Sequence, residues 1–226
     1  MLLKIPNVLT QAQVQECQEM LLSADWEDGK KTAGHQALLA KKNLQLPQHS
    51  KVSADIGQFI LARLKQHPQF MGAALPAKFY PPMFNCYQEA GCFGDHIDNA
   101  IRQTPQDQQQ IRTDVSMTLF LTEPDSYEGG ELVIEDTFGE KRVKLAAGDL
   151  LLYPSTSMHR VTPVTSGRRL ASFFWLQSLI RSNEHRRILY DLDQSIIALT
   201  QQDPKQQELI RLTGVYHNLL RQWSET

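Results

Sequence analysis

Cysteine is scarce in this chain of 226 residues. There are three, Cys17, Cys86 and Cys92, and no two of them form a C-x-x-C pair. An odd, scattered set argues against a complete disulfide framework and a thiolate metal site, and so favours a reducing, cytoplasmic setting. A basic excess is missing too: 23 Lys and Arg stand against 25 Asp and Glu, a formal net charge of −2. That balance gives no electrostatic footprint for nucleic acid or an anionic membrane surface. No apolar run is long enough to cross a bilayer, and residues 1–6 are too short a run for a signal peptide. Internal repeats and low-complexity segments are absent. What remains is ordinary for a soluble globular protein, with 41% hydrophobic and 21% charged residues, enough for one sizeable core with or without an appendage.

The hydrophobic period changes twice along the chain. An opening strand within 2–8 is followed by Thr10 and Gln13, spaced as a capping box ahead of a helical face of Val14, Cys17 and Leu21. Asp28-Gly29 and Gly34 break the next stretch. His35 and His49, in polar surroundings, are read as surface or loop residues. A second helix is expected over 52–66, with Val52, Ile56, Phe59, Ile60 and Leu64 inward and Pro68 as its stop. After Pro76 short strands take over: 78–80, 83–87, 115–121, 131–134, 143–145, 150–153, 161–164 and 170–176, punctuated by turns at Glu89-Ala90-Gly91, Gly129-Gly130, Gly139 and Gly148. Residues 99–112, rich in Gln and without apolar period, read as a loop that could serve as a lid. From Ser182 the helical period returns, with Ile188, Leu189, Leu192, Ile196 and Leu199, a stop near Pro204, then Leu209, Leu212, Tyr216, Leu219 and Trp223. Many short strands with regular turns indicate a β-sandwich or jelly roll. The fold class is therefore mainly β with flanking α. The expected division is 1–77 (N-terminal strand and helices), 78–178 (β core) and 179–226 (a small helical unit that could pack on the core or on a second subunit).

The chemistry concentrates in Gly94-Asp95-His96-Ile97-Asp98, Ser157-Met158-His159 and Gly167-Arg168-Arg169. In extended backbone, residues two apart share a face, so His96 and Asp98 point together while Ile97 points away. A second histidine, His159, from a distant strand would complete two nitrogens and one oxygen on one side of a metal. Three positions stay open, the facial arrangement of non-heme Fe(II) oxygenases. The alternative for His159 is a hydrogen-bonded core histidine. A structural metal site would need four protein ligands, and no clear fourth is visible. Arg169 precedes a nearly continuous apolar run and shares a face with Ala171 and Phe173, whereas Arg168 faces the other way, toward solvent. A guanidinium aimed into an apolar interior needs an anionic partner, either a ligand carboxylate gripped by the planar fork or an acid on a neighbouring strand.

These residues carry a family resemblance. Asn85-Cys86-Tyr87-Gln88-Glu89-Ala90-Gly91 up to His96-Ile97-Asp98, Met117-Thr118-Leu119-Phe120-Leu121 through Gly129-Gly130, Gly148-Asp149-Leu150 through His159-Arg160-Val161, and Gly167-Arg168-Arg169 resemble the Fe(II)/2-oxoglutarate-dependent dioxygenases of the prolyl-4-hydroxylase-like branch. The overall length, the opening residues and the tail resemble the bacterial PKHD-type hydroxylases. The resemblance implies a double-stranded β-helix core with Fe(2+) held by His96, Asp98 and His159 at one mouth. It also implies that 2-oxoglutarate chelates the metal, with its distal carboxylate on Arg169. Tyr87 is either a further co-substrate contact or a packed aromatic. Collagen-type prolyl hydroxylases of animals often use Lys at the anchor; here it is Arg. The implied reaction consumes O2, converts 2-oxoglutarate to succinate and CO2, and hydroxylates a C–H bond of a protein prolyl or lysyl side chain or of a small metabolite. L-ascorbate as an auxiliary reductant follows by the same analogy. The competing reading is a non-catalytic jelly-roll module that senses iron or 2-oxoglutarate.

Overall fold

The computed structural model describes residues 1–32, 40–105 and 107–225; Gly34 and His35 lie outside the described residues. Among these, the strands form two large antiparallel sheets and one hairpin. The larger sheet runs β1 (Leu3–Ile5), β14 (Leu150–Pro154), β10 (Val115–Phe120), β16 (Arg169–Ser178), β6 (Met83–Tyr87), β4 (Leu44–Gln45), β2 (Glu27–Asp28), with β5 (Pro76–Phe79) also on β16. The smaller runs β13 (Gly139–Val143), β12 (Leu132–Asp136), β15 (His159–Ser166), β7 (Gly91–His96), β3 (Lys41–Lys42), with β11 (Glu128–Gly129) on β15. The hairpin pairs β8 (Ile101–Gln103) with β9 (Gln110–Arg112).

Alternation explains why this sheet carries a site on one face and helices on the other. In β10, Val115, Met117 and Leu119 enter the main hydrophobic core, while Ser116 and Thr118 line an interior cavity. In β16, Leu170, Phe174 and Leu176 join that core, and Arg169, Phe173 and Trp175 line the cavity. In β6, Phe84 and Cys86 point one way, Met83, Asn85 and Tyr87 the other. A strand buried on both faces reads as a continuous apolar run, and the period of two shows only in where the polar residues fall.

Three helices cover the outer face: α1 (Gln11–Leu22) through Val14, Cys17 and Leu21, α2 (Lys51–Lys65) through Ile56, Ile60 and Leu64, and α3 (Pro68–Ala74) through Phe70 and Ala73. The expected capping box is present, with Thr10 and Gln13 each accepting the other's backbone N–H. α2 ends at Lys65, ahead of Pro68 as expected, and Pro68 also opens α3, where a missing N–H costs nothing. The C-terminal α4 (Asn183–Gln202) and α5 (Gln207–Trp223) pack through Leu189, Tyr216, Leu219 and Trp223 on Leu75 and Ile180. No described helix is long and apolar enough to cross a membrane.

Two expectations change. Gly139 does not mark a turn outside a strand at 143–145. It starts β13, paired with Asp136 across the two-residue turn Thr137-Phe138, at φ +107°, a left-handed value that favours glycine. The described residues of 99–112 are not an irregular loop but the β8–β9 hairpin, with Ile111 buried against Tyr80, Met83 and Trp175. Strands of three residues carry too little alternation to register as a period. His49 is exposed in a turn.

Candidate active site

His96 ends β7, His159 begins β15, and the ladder pairs the two residues directly. Their rings sit 4.2 Å apart by centroids. Asp98 follows two residues after His96, and its Oδ2 lies 3.8 Å from His159 Nε2. One potential ligand atom from each of the three lies within 4.8 Å of the others. Ile97 between them is 53% exposed, as the alternation requires. Among the described residues no fourth His, Cys, Asp or Glu joins the group, which fits an open metal site better than a closed structural one.

The chain fixes how each ligand presents itself. His96 Nδ1–H donates to the Gly94 carbonyl at 2.8 Å, and His159 Nδ1–H to the Ser157 carbonyl at 3.0 Å. A carbonyl only accepts, so both rings hold their proton on Nδ1 and keep the Nε2 lone pair for a metal. Burial, reinforced by His159, pushes the pKa of His96 down to about 4, so this ring is neutral near pH 7. Asp98 Oδ2 accepts from Ser116 Oγ at 2.6 Å, and Ser116 Oγ lies 2.8 Å from Ser155 Oγ. The carboxylate can only accept; Ser116 therefore gives it its proton and takes one from Ser155. Neither serine is singled out by the sequence motifs. The available signal is a polar residue inside the apolar strand 115–121.

These groups open into one cavity of about 530 Å³, which Arg169, Tyr87, Asn85, Thr118 and Tyr153 also line. Arg169 is 1% exposed, yet its Nε and Nη1 have no hydrogen-bond partner. Among the described residues it forms no ion pair, so the neighbouring-strand acid considered above is not its partner. Its Cζ lies 5.3 Å from the Tyr87 ring centroid and 5.2 Å from that of Phe120. Gly130 makes room for it: a Cβ there would meet Tyr127 at 2.9 Å and Arg169 Cδ at 3.0 Å, and its φ is +64°. Buried donors left empty are rare unless a ligand meets them. Two imidazoles, a carboxylate and two orphaned N–H donors in one cavity fit a metal chelated by a small dicarboxylate.

Tyr87, 1% exposed, has its hydroxyl pKa pushed up to about 12 by burial, against the opposing pull of Arg169; it faces the cavity as a neutral donor. Tyr153 combines core packing with a wall position, its ring 5.2 Å from that of His159. Burial, and then the Asp98 charge, raise its pKa. Arg168 is exposed and donates from Nε to Gln88 Oε1 at 3.0 Å. Lys41, on the short edge strand β3, and Asn43, between β3 and β4, also line the cavity, and nothing in the sequence motifs points to them.

Comparison with known proteins agrees with this geometry. Residues 82–177 match the family model described as the 2OG-Fe(II) oxygenase superfamily, and residues 183–225 match that of the PKHD-type hydroxylase C-terminal domain. A PKHD-type hydroxylase of Saccharophagus degradans is 60% identical over 226 residues, covering 100% of both chains. The PKHD-type hydroxylase PiuC of Pseudomonas aeruginosa is 55% identical over 225 residues, again covering 100% of each. Among solved structures, a prolyl hydroxylase from Trichoplax adhaerens bound to a hypoxia-inducible-factor peptide fragment aligns with TM-score 0.57 at 16% identity, over 83% of this chain and 86% of that one. This last likeness bears on the fold alone, a jelly-roll core. Full-length identity at this level shows that the chain belongs to the PKHD-type hydroxylases, within the 2OG-Fe(II) oxygenase superfamily.

Proposed function

We propose that His96, Asp98 and His159 hold Fe(II) in this dioxygenase, and that Arg169 anchors the distal carboxylate of 2-oxoglutarate. The observation that carries the reading is the pair of unmet Arg169 donors in the cavity that also contains the three ligand atoms. When bound, iron and 2-oxoglutarate supply the oxidising chemistry: O2 is consumed, 2-oxoglutarate leaves as succinate and CO2, and a substrate C–H bond gains a hydroxyl.

The protein's part is binding and orientation. The imidazoles each turn Nε2 toward the metal position through their Nδ1 hydrogen bonds, Ser116 and Ser155 hold the Asp98 carboxylate in one rotamer, and the Arg169 fork sets the direction of the dicarboxylate. Tyr87 sits against the guanidinium and can donate to the same carboxylate. The substrate is a protein prolyl or lysyl side chain or a small metabolite, and L-ascorbate serves as an auxiliary reductant. Three free cysteines support a reducing, cytoplasmic setting, and the exposed Ile188, Ile197, Ile210 and Val215 of α4 and α5 support self-association. The division at residues 77 and 178 belongs to the same reading; the helices beyond 178 are covered by a family match of their own.

The test is succinate formation by purified protein given 2-oxoglutarate, O2 and Fe(II), alongside metal binding followed by metal analysis. His96→Ala should lose both. Full metal retention in His96→Ala, or 2-oxoglutarate affinity untouched by Arg169→Ala, would overturn the assignment.

A further inference from the structure

Arg169 and the metal ligands occupy only part of the cavity. Along β16 the residues two apart from Arg169 are Ala171, Phe173 and Trp175, and Phe173 and Trp175 line the same space. At about 3.3 Å per residue, Trp175 sits roughly 20 Å from Arg169 along the strand. Arg102 of β8 lies over it, Cζ 4.1 Å from the Trp175 ring centroid and 4.9 Å from that of Tyr80. Arg102 Nε is buried with no hydrogen-bond partner, and among the described residues no carboxylate pairs with this side chain.

Lys41 supplies a second positive charge to the cavity wall. It is 6% exposed, donates to Gln45 Oε1 at 2.6 Å and stands 5.3 Å from the Phe93 ring centroid. Burial, and next the charge of Arg102, push its pKa down to about 8. Lys41 and Arg102 thus both line the cavity wall. Among the described residues none of the nearby acids pairs with Arg102: Asp98 is bonded to Ser116, Asp95 to Arg160 at 3.2 Å, and Asp28, exposed, to the Lys30 amide at 2.9 Å.

We propose that this end of the cavity receives the carboxylate of the primary substrate, a small organic acid whose apolar portion lies against Phe173, Met83 and Trp175. The proposal rests on the dioxygenase reading above and adds the class of molecule hydroxylated. The guanidinium is packed against two aromatic rings set at 76° to each other, and its N–H donors suit a planar oxyanion. A five-carbon dicarboxylate anchored on Arg169 cannot also reach Arg102, so the second anion belongs to a different molecule. The volume is that of a small-molecule site, within the roughly 300–1,000 Å³ usual for such pockets.

The experiment titrates benzoate and its neutral isostere benzamide, by calorimetry, into full-length protein carrying Zn(II) and saturating 2-oxoglutarate. Benzoate should bind at least tenfold more tightly than benzamide. In Arg102→Gln that ratio should fall toward one, with benzamide affinity changed less than twofold. Lys41→Met should lower the ratio several-fold by a separate route, so an unfolded Arg102 variant does not end the test. Equal affinities, no binding of either probe, or a ratio that survives both substitutions would overturn the proposal. So would an anion preference seen only with a Glu peptide over its Gln counterpart, which would assign the site to a protein substrate. The 2-oxoglutarate titration of the wild-type protein is the control for the underlying reading: its failure sinks the dioxygenase site, whereas success there without benzoate preference sinks only the organic-acid assignment.

Discussion

Two guanidinium groups lie almost wholly inside this protein, and the chain treats them in opposite ways. Arg186, 3% exposed, donates from Nη1 to the carbonyls of Ile180 at 2.5 Å and Arg181 at 3.0 Å, and from Nη2 to the Asp114 carbonyl at 3.4 Å and the Asn183 side chain. Burial pushes its pKa down to about 10, with Asp114 opposing, so it stays charged at neutral pH. It ties α4 to the end of β9–β10, where the Asp114 carboxylate also accepts from Arg112 Nε at 2.7 Å and from the Ser178 amide at 2.9 Å. Arg169 is buried as deeply and leaves Nε and Nη1 without a partner. A buried cation is expensive unless its donors are met. One arginine is met by its own chain and is a fastener. The other is left for something that arrives from outside.

The largest expected effect tests that contrast on the ligand side. Arg169→Ala should weaken 2-oxoglutarate by about 4 kcal/mol, roughly a thousandfold, through two lost charge-assisted hydrogen bonds. Its thermal midpoint should move little, because no hydrogen bond within the protein is broken at those donors. Calorimetry and a melting curve on the same sample read both. Next comes Arg186→Met, expected to cost about 3 kcal/mol of folding stability by urea titration, since three carbonyls lose their donor. Its 2-oxoglutarate affinity should match the wild type; equal losses of affinity in both variants would erase the distinction between fastener and receptor.

Ser116→Ala should be milder, lowering metal affinity by about tenfold in a chelator competition, because the Asp98 carboxylate loses the hydroxyl that orients it. Smallest is a pH effect from Lys41. Its folded pKa lies below its unfolded value, so between about 8 and 10.5 the unfolded chain holds the extra proton. Stability of the metal-free wild type relative to Lys41→Met should therefore rise as pH climbs through that window. Melting temperatures measured across it would detect the trend, and a flat difference would place Lys41 in water.

The three would-be ligands and Arg169 are legible in the sequence because each sits in a local pattern: H-x-D in extended backbone, a histidine after a turn, a charge entering an apolar strand. Ser116, Ser155, Lys41 and Arg102 are not, because their importance comes from register. Ser116 reaches Asp98 only through the placement of β10 beneath the end of β7, and Lys41 enters through a two-residue edge strand with no period of its own. Arg102 is hidden for the same reason, on a three-residue strand within a Gln-rich stretch. The large sheet is readable from its apolar runs, whereas its inner and outer faces become distinguishable only once the core and the cavity divide them.

The direct pairing of His96 with His159 across β7 and β15 bears on how this sequence can drift. Slipping one strand past the other by a single residue would turn an imidazole outward, so insertions between these strands are tolerable only where the extra length can loop away from the ladder. The tip at Thr137-Phe138, with Phe138 92% exposed, is such an outlet. Descendants of this chain should therefore vary in length at that tip and hold the spacing from Gly91 to Asp98 constant.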